Sequence, residues 1–127
     1  MLDLIIKNGQ CYINGELKNV DVAIKNGKIQ QIGQISDEAK EIIDTEGQTV
    51  LPGCIDTQTH FREPGSTDTE DLHSGSKAAI VGGITSVFEM PNTNPPTSNK
   101  VEFQKKLDLA KNRICLLYTS PSPRDPE

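Results

Sequence analysis

Apolar and polar positions in the first fifty residues alternate with the two-residue period of β-strands. Val20, Val22 and Ile24 are separated by Asp21 and Ala23, which predicts a strand with one buried face. Asn-Gly pairs occupy residues 8–9, 14–15 and 26–27, and this dipeptide is typical of tight hairpin turns. We therefore predict a small β module over residues 1–51, built from hairpins and closed by short strands around Glu46-Gly47.

The pattern changes after residue 51 to longer alternating strands and helices. The predicted elements are a strand between Pro52-Gly53 and Pro64-Gly65, a helix from Thr69–Asp71 to Gly82-Gly83, a strand at Ile84–Met90 and a helix from Asn99. Alternating strands and helices favour a parallel sheet. We predict an α/β fold in which a partial β-sandwich precedes the first βα units of a TIM-like (β/α)8 barrel, over residues 52–114.

Residues that could bind a metal or a substrate lie at the ends of the two predicted parallel strands. Gln58 and His60 share one strand face by the two-residue period, and barrel enzymes gather their reactive side chains at this end. Histidine is the commonest metal ligand, although most histidines bind nothing. Asn92 lies in a Pro- and Asn-rich run that would form a turn in any case.

The segment Asp56–Gly65, Asp-Thr-Gln-Thr-His-Phe-Arg-Glu-Pro-Gly, resembles the Asp-x-His-x-His strand and following Phe-Arg-Glu-Pro-Gly of dihydroorotases, in the amidohydrolase superfamily. The run Met-Pro-Asn-Thr-Asn-Pro at 90–95 is similar to a second motif of that family. The resemblance implies a zinc-dependent hydrolase that interconverts dihydroorotate and N-carbamoyl-aspartate in pyrimidine biosynthesis, with one or two zinc ions. It implies that His60 binds zinc and that Arg62 and Asn92 bind the substrate carboxylate.

Gln58 departs from this pattern, because it stands where the family has its first His. A neutral amide oxygen is a poor zinc ligand beside imidazole, so one metal would be weak or missing. Two alternatives stay open. The protein could be a non-catalytic dihydroorotase homologue that acts as a structural partner of aspartate transcarbamoylase. It could also be a cyclic amidase of the allantoinase or hydantoinase type, in which we do not expect the Met-Pro-Asn-Thr run.

The last thirteen residues break the pattern. The run Cys115–Asp125, Cys-Leu-Leu-Tyr-Thr-Ser-Pro-Ser-Pro-Arg-Asp, resembles a translated sequencing adapter, and its prolines oppose a continuing strand. We expect a non-native tail at 115–127 and a truncated N-terminal fragment before it. A (β/α)8 barrel needs about 250 residues, so the fragment would hold none of the family's catalytic residues and would be inactive alone.

Composition and charge indicate which partners and which compartment to expect. Lys and Arg number 13 against 18 Asp and Glu, a formal net charge of −5, which disfavours nucleic-acid binding. No apolar run reaches the roughly 20 residues of a membrane span. Three Cys without metal-type spacing suit a reducing compartment. We expect a cytoplasmic protein with a small-molecule substrate and with aspartate transcarbamoylase or a homo-oligomer as possible partners.

Overall fold

The structure is a computed structural model that describes residues 1–119. The chain divides into two compact units, Met1–Pro52 and Gly53–Glu127. The first is an all-β unit, and the second combines a parallel sheet with two helices. The predicted fold class is confirmed: a small β part precedes the first βα units of a (β/α)8 barrel. No helix in the described range 1–119 is both long and apolar enough to span a membrane.

The first unit is a five-stranded sheet. Its strands are β1 (Leu2–Ile13), β2 (Glu16–Lys25), β3 (Lys28–Gly33), β4 (Ala39–Asp44) and β5 (Thr49–Val50). The order is β3-β2-β1-β4, and β5 also pairs with β1. Asn14-Gly15 and Asn26-Gly27 form the two hairpin turns, with positive φ at all four residues. Asn and Gly tolerate that backbone region, which explains why these pairs end the strands.

The hairpin expected at Asn8-Gly9 is wrong. Strand β1 continues through this pair, and its register with β2 shifts between Ile6 and Gly9. Asn8 has a φ of 56°, so the pair forms a β-bulge rather than a turn. A Cβ on Gly9 would lie 2.7 Å from Cγ2 of Val50. The glycine is therefore required by the close approach of β5.

Strands β4 and β5 flank this bulge and both run parallel to β1. The turn at Glu46-Gly47 joins them without pairing them to each other. The N–H of Thr45 donates to the carbonyl of Lys7 at 3.0 Å, and the N–H of Gly47 donates to the carbonyl of Asn8 at 3.0 Å. The bulge in one strand is thus matched by a turn in its neighbour, and this keeps both segments bonded to β1.

The second unit has the order β6 (Cys54–Thr59), α1 (Leu72–Val81), β7 (Ile84–Glu89), α2 (Lys100–Ala110) and β8 (Leu117–Thr119). The three strands form a parallel sheet with β7 in the centre. Strand β8 falls within the predicted non-native tail, of which residues 120–127 lie outside the described residues. The carboxyl ends of β6 and β7 therefore lie side by side.

Helix ends follow local signals. The side chain of Asp71 accepts a 2.7 Å hydrogen bond from the N–H of Ser74 at the start of α1, which ends at Gly82. Asn99 accepts from the N–H of Glu102 at 3.0 Å and begins α2. Both caps satisfy N–H groups that have no partner within the helix.

The core of the second unit lies where the helices cover the sheet. Its buried residues are Phe61, Leu72, Val87 and Ala110. Helix α2 does not bury its residues by polarity alone, because Val101 is 64% exposed whereas Lys106 is fully buried. Lys106 is buried because it pairs with a carboxylate of β7, as described below.

Candidate functional site

The loops that leave β6 and β7 are joined by backbone hydrogen bonds. The N–H of Met90 donates to the carbonyl of Thr59 at 2.8 Å, where the two strands end. Further along, the N–H of Asn94 donates to the carbonyl of Pro64 at 3.0 Å. These bonds lie on either side of the predicted site residues and bring the two loops together.

His60 and Asn92 are in direct contact. Nδ1 of the His60 ring lies 2.7 Å from Oδ1 of the Asn92 amide, across 32 residues of sequence, and both residues are exposed. The family resemblance implies that Asn92 binds the substrate and does not predict this contact. No local pattern could reveal it, because it depends on the pairing of β6 with β7.

Arg62 and Asn92 line one pocket of about 140 Å³. The other lining residues are Phe61, Pro64, Ser66, Thr93 and Asn94. Sites for drug-sized ligands are about 300–1,000 Å³, so this pocket suits one polar group of a ligand, such as a carboxylate or a ring carbonyl. The guanidinium and amide N–H groups of Arg62 and Asn92 are donors suited to either oxygen.

Glu63, the neighbour of Arg62, is buried and forms a forked ion pair with Arg113. The two N–O distances are 2.7 and 2.9 Å, and Oε2 also accepts from the N–H of Leu72 at 2.9 Å. The hydrogen bonds from Arg113 hold the pKa of Glu63 below its usual value, against the opposing effect of burial. The pair fixes the β6 loop to the start of α1 and to the segment after α2.

A second ion pair lies beneath the β7 loop. Nζ of Lys106 is 2.5 Å from Oε2 of Glu89, and both side chains are fully buried. Burial raises the pKa of Glu89, although its pairing with Lys106 acts in the opposite direction. The pair joins α2 to the last residue of β7. Sequence reasoning missed both ion pairs, since their partners are 50 and 17 residues apart and carry no local signal.

The metal prediction concerns His60 and Gln58. Gln58 is exposed on β6, and its N–H donates to Oδ1 of Asp56 at 2.9 Å. Nδ1 of His60 is engaged by Asn92, so Nε2 is the ring nitrogen that fits a ligand position. Within residues 1–119, no three His, Cys, Asp or Glu side chains are grouped so that they could hold a metal ion. Among the described residues, His60 thus fits the role of one zinc ligand, and the described residues do not form a complete zinc site.

Sequence comparisons point to one group of hydrolases. The profile of the amidohydrolase family matches residues 49–125. Allantoinases of Escherichia coli, from strains SMS-3-5 / SECEC and K12 / DH10B, are 44% identical over 115 residues, or 90% of this chain. That alignment covers 25% of each relative, so the chain spans about a quarter of the length of the curated relatives it matches.

Solved structures agree with these matches. L-hydantoinase (dihydropyrimidinase) from Arthrobacter aurescens superposes with a TM-score of 0.88 at 30% identity, over 96% of this chain and 28% of that protein. D-hydantoinase (dihydropyrimidinase) from Thermus sp. gives a TM-score of 0.78 at 28% identity, over 94% of this chain and 27% of that protein.

Proposed function

The chain belongs to the amidohydrolase family, and on that premise we propose that the protein carrying it is a cyclic-amide hydrolase of the allantoinase and hydantoinase type. The observation that carries this proposal is the 44% identity to allantoinases over 115 residues. The likeness to hydantoinase structures supports it. The superfamily predicted from the sequence is confirmed. These relatives support the allantoinase and hydantoinase alternative better than the dihydroorotase reading.

We expect the Met-Pro-Asn-Thr run at 90–93 in dihydroorotases and not in allantoinases or hydantoinases, and this expectation stays a prediction. Pro, Asn and Thr are turn-forming residues, and the run follows directly after β7. Its turn-forming role alone accounts for these residue types, whichever substrate is bound.

Arg62 and Asn92 supply the substrate-binding part of the proposal. Both line the pocket between the two loops, where their N–H groups can hold the carbonyl oxygens of a ureide ring. Dihydroorotase remains a second candidate because the same pair could bind a carboxylate, and a guanidinium pairs with a carboxylate in a forked geometry. The substrates differ in charge, since dihydroorotate is an anion and allantoin is neutral.

Zinc is the metal we propose for the complete site. When bound, zinc lowers the pKa of a bound water to about 7 and polarises a carbonyl oxygen. His60 would supply one imidazole through Nε2, and Gln58 would supply at most a weak amide oxygen. The remaining ligands would have to come from beyond the described residues. Partnership with aspartate transcarbamoylase or with a second copy, and a cytoplasmic location, stay predictions.

The test is turnover by the full-length protein that carries this segment, with allantoin, hydantoin and dihydroorotate compared at equal enzyme and zinc. We expect kcat/KM for allantoin or hydantoin to exceed that for dihydroorotate at least tenfold. Arg62→Lys should lower kcat/KM by about tenfold or more, because one lost charge-assisted hydrogen bond amounts to about 1.5–3 kcal/mol. Its metal content should not change.

Other outcomes identify the other candidates. Tenfold preference for dihydroorotate would establish the dihydroorotase activity instead. No turnover of any of the three compounds by the zinc-loaded protein would favour the non-catalytic homologue. His60→Ala serves as the control for background hydrolysis and should abolish turnover.

A further inference from the structure

The hydrogen bond between His60 and Asn92 has a defined donor and a defined acceptor. A neutral imidazole has one N–H and one nitrogen lone pair, and an amide oxygen can only accept a hydrogen bond. Oδ1 of Asn92 lies 2.7 Å from Nδ1 of His60, at the short end of the N–H···O range. In this arrangement Nδ1 must carry the proton, and Nε2 keeps its lone pair.

We propose that Asn92 is a positioning residue for His60. Its Oδ1 holds the ring in the Nδ1–H form and leaves Nε2 as the reactive nitrogen, while its Nδ2 amino group remains available to the pocket shared with Arg62. Metal-binding histidines usually donate their second ring N–H to an oxygen acceptor in this way. The tautomer follows from geometry alone, and only the use of Nε2 as a ligand rests on the proposed function.

Backbone hydrogen bonds around both residues hold the contact in place. The bonds Met90 to Thr59 and Asn94 to Pro64 frame the two loops. The N–H of Thr97, a buried residue, donates to the carbonyl of Pro91 at 2.9 Å and closes the loop that carries Asn92. The position of Asn92 relative to His60 is therefore set by strand pairing and loop closure.

The proposal gives Asn92 two roles at once. Its Oδ1 orients a ring that we assign to the metal, and the same residue lines the pocket that we assign to the substrate. Substitution of Asn92 should therefore affect the His60 ring even when no substrate is present. A residue that binds only substrate would have no such effect.

The second histidine provides an internal reference. The chain has two His, and Nδ1 of His73 lies 3.1 Å from the carbonyl oxygen of Arg113. A backbone carbonyl only accepts, so His73 must also carry its proton on Nδ1. Its partner is a main-chain atom, which no substitution at Asn92 removes.

The experiment is long-range ¹H–¹⁵N correlation NMR of both rings in the full-length protein that carries this segment, ¹⁵N-labelled at histidine and without metal. A pH of about 8.5 lies two units above the ordinary histidine pKa. We expect His60 to show a protonated Nδ1 and a pyridine-type Nε2. Asn92→Ala should shift these signals toward a mixture containing the Nε2–H form. Asn94→Ala, which changes another amide lining the same pocket, should leave them in place.

Asn92→Asp decides the orientation of the amide. A carboxylate accepts but does not donate, so this variant should keep the Nδ1–H form of His60. If Nδ2 of Asn92 instead donates to the ring, the native chain will show the Nε2–H form and Asn92→Asp will reverse it. An Nε2–H form of His60 in the native chain, or a change of tautomer in Asn92→Asp, would overturn the proposal.

Folding failure is recognised from His73, whose signals would move to their denatured positions. If Asn92→Ala unfolds, the native chain and Asn92→Asp still decide the question. The measurement involves no turnover, so its failure would leave the cyclic-amide hydrolase proposal standing. Failure of that proposal would likewise leave the tautomer result unaffected.

Discussion

At the scale of single residues, the side chains of Gln58 and His60 determine how well this edge of the sheet can bind a metal. They lie two positions apart, at the end of β6 and directly after it, beside the register shift between Asp56 and Thr59 in the pairing of β6 with β7. The resemblance that motivated the site has an imidazole at both positions, whereas this chain has an amide at one. The metal affinity of this edge should therefore be limited by residue 58.

Gln58→His should raise the zinc affinity of the chain, because imidazole is a far better zinc ligand than an amide oxygen. Zinc content after equilibrium dialysis at a fixed free-zinc concentration measures the effect. Thr57→His is the matched control, since it adds the same ring at the neighbouring position of β6. Equal zinc binding by the two variants would contradict the role assigned to residue 58.

At the scale of elements, two ion pairs hold the site loops in place. Arg113 pairs with Glu63 on the loop between β6 and α1, and Lys106 pairs with Glu89 at the end of β7. One pair is half-exposed at its arginine, and the other is wholly buried. They should therefore differ in their response to pH and to substitution.

The Glu63–Arg113 pair predicts a loss of stability in acid. Arg113 lowers the pKa of Glu63 in the folded state, so the pair contributes stability above the unfolded pKa of about 4.3. That contribution disappears as pH falls through the folded value. Glu63→Gln should flatten the fall of Tm between about pH 5 and pH 3, measured by circular dichroism. Asp68→Asn, an exposed carboxylate on the same loop, should not; an identical profile for both variants would contradict the prediction.

The Lys106–Glu89 pair predicts a large response to removal of one partner. Lys106→Met removes the ammonium group that pairs with the buried carboxylate of Glu89, and breaking a buried pair in this way costs about 3–5 kcal/mol. Urea unfolding of the chain measures the change. The double variant Lys106→Met/Glu89→Leu should recover most of the loss. Lys105→Met removes an exposed pair with Glu102 and should change stability by no more than about 1 kcal/mol; equal effects at 105 and 106 would contradict the assignment.

At the scale of the whole molecule, apolar surface remains uncovered in the first unit. Cross-strand pairing places Ile6, Val22, Ile32 and Ile43 in one row across four strands. The outer members, Ile32 and Ile43, are each 45% exposed and lie on strands at the edges of the β3-β2-β1-β4 path. Val22, in the middle of the row, is buried, so the exposed apolar area lies on the two edge strands, where another chain can pair.

This apolar row predicts that the 127-residue chain self-associates. Ile32→Thr/Ile43→Thr keeps β-branched side chains and reduces the apolar area, so it should raise the monomer fraction in sedimentation velocity. Gln31→Thr is the control, because Gln31 pairs with Ala23 on the opposite face and should leave association unchanged. A native chain that stays monomeric at high concentration would contradict the prediction.

Local physical chemistry determined the elements that the sequence revealed. Positive φ favours Asn-Gly at the turns after β1 and β2, and side-chain caps at Asp71 and Asn99 begin the helices. Alternating strands and helices then require a parallel sheet. For that reason His60, Arg62 and Asn92 could be assigned to one edge before any coordinates were known.

Tertiary structure decided which distant groups meet. Asn8-Gly9 became a bulge because β4 and β5 pair with the same strand on either side of it. Lys106 is buried because α2 lies against Glu89, and Arg113 reaches Glu63 across 50 residues. Asn92 contacts His60 because β6 and β7 are neighbours. Each of these depends on the three-dimensional position of a partner remote in sequence, which no local pattern of residues encodes.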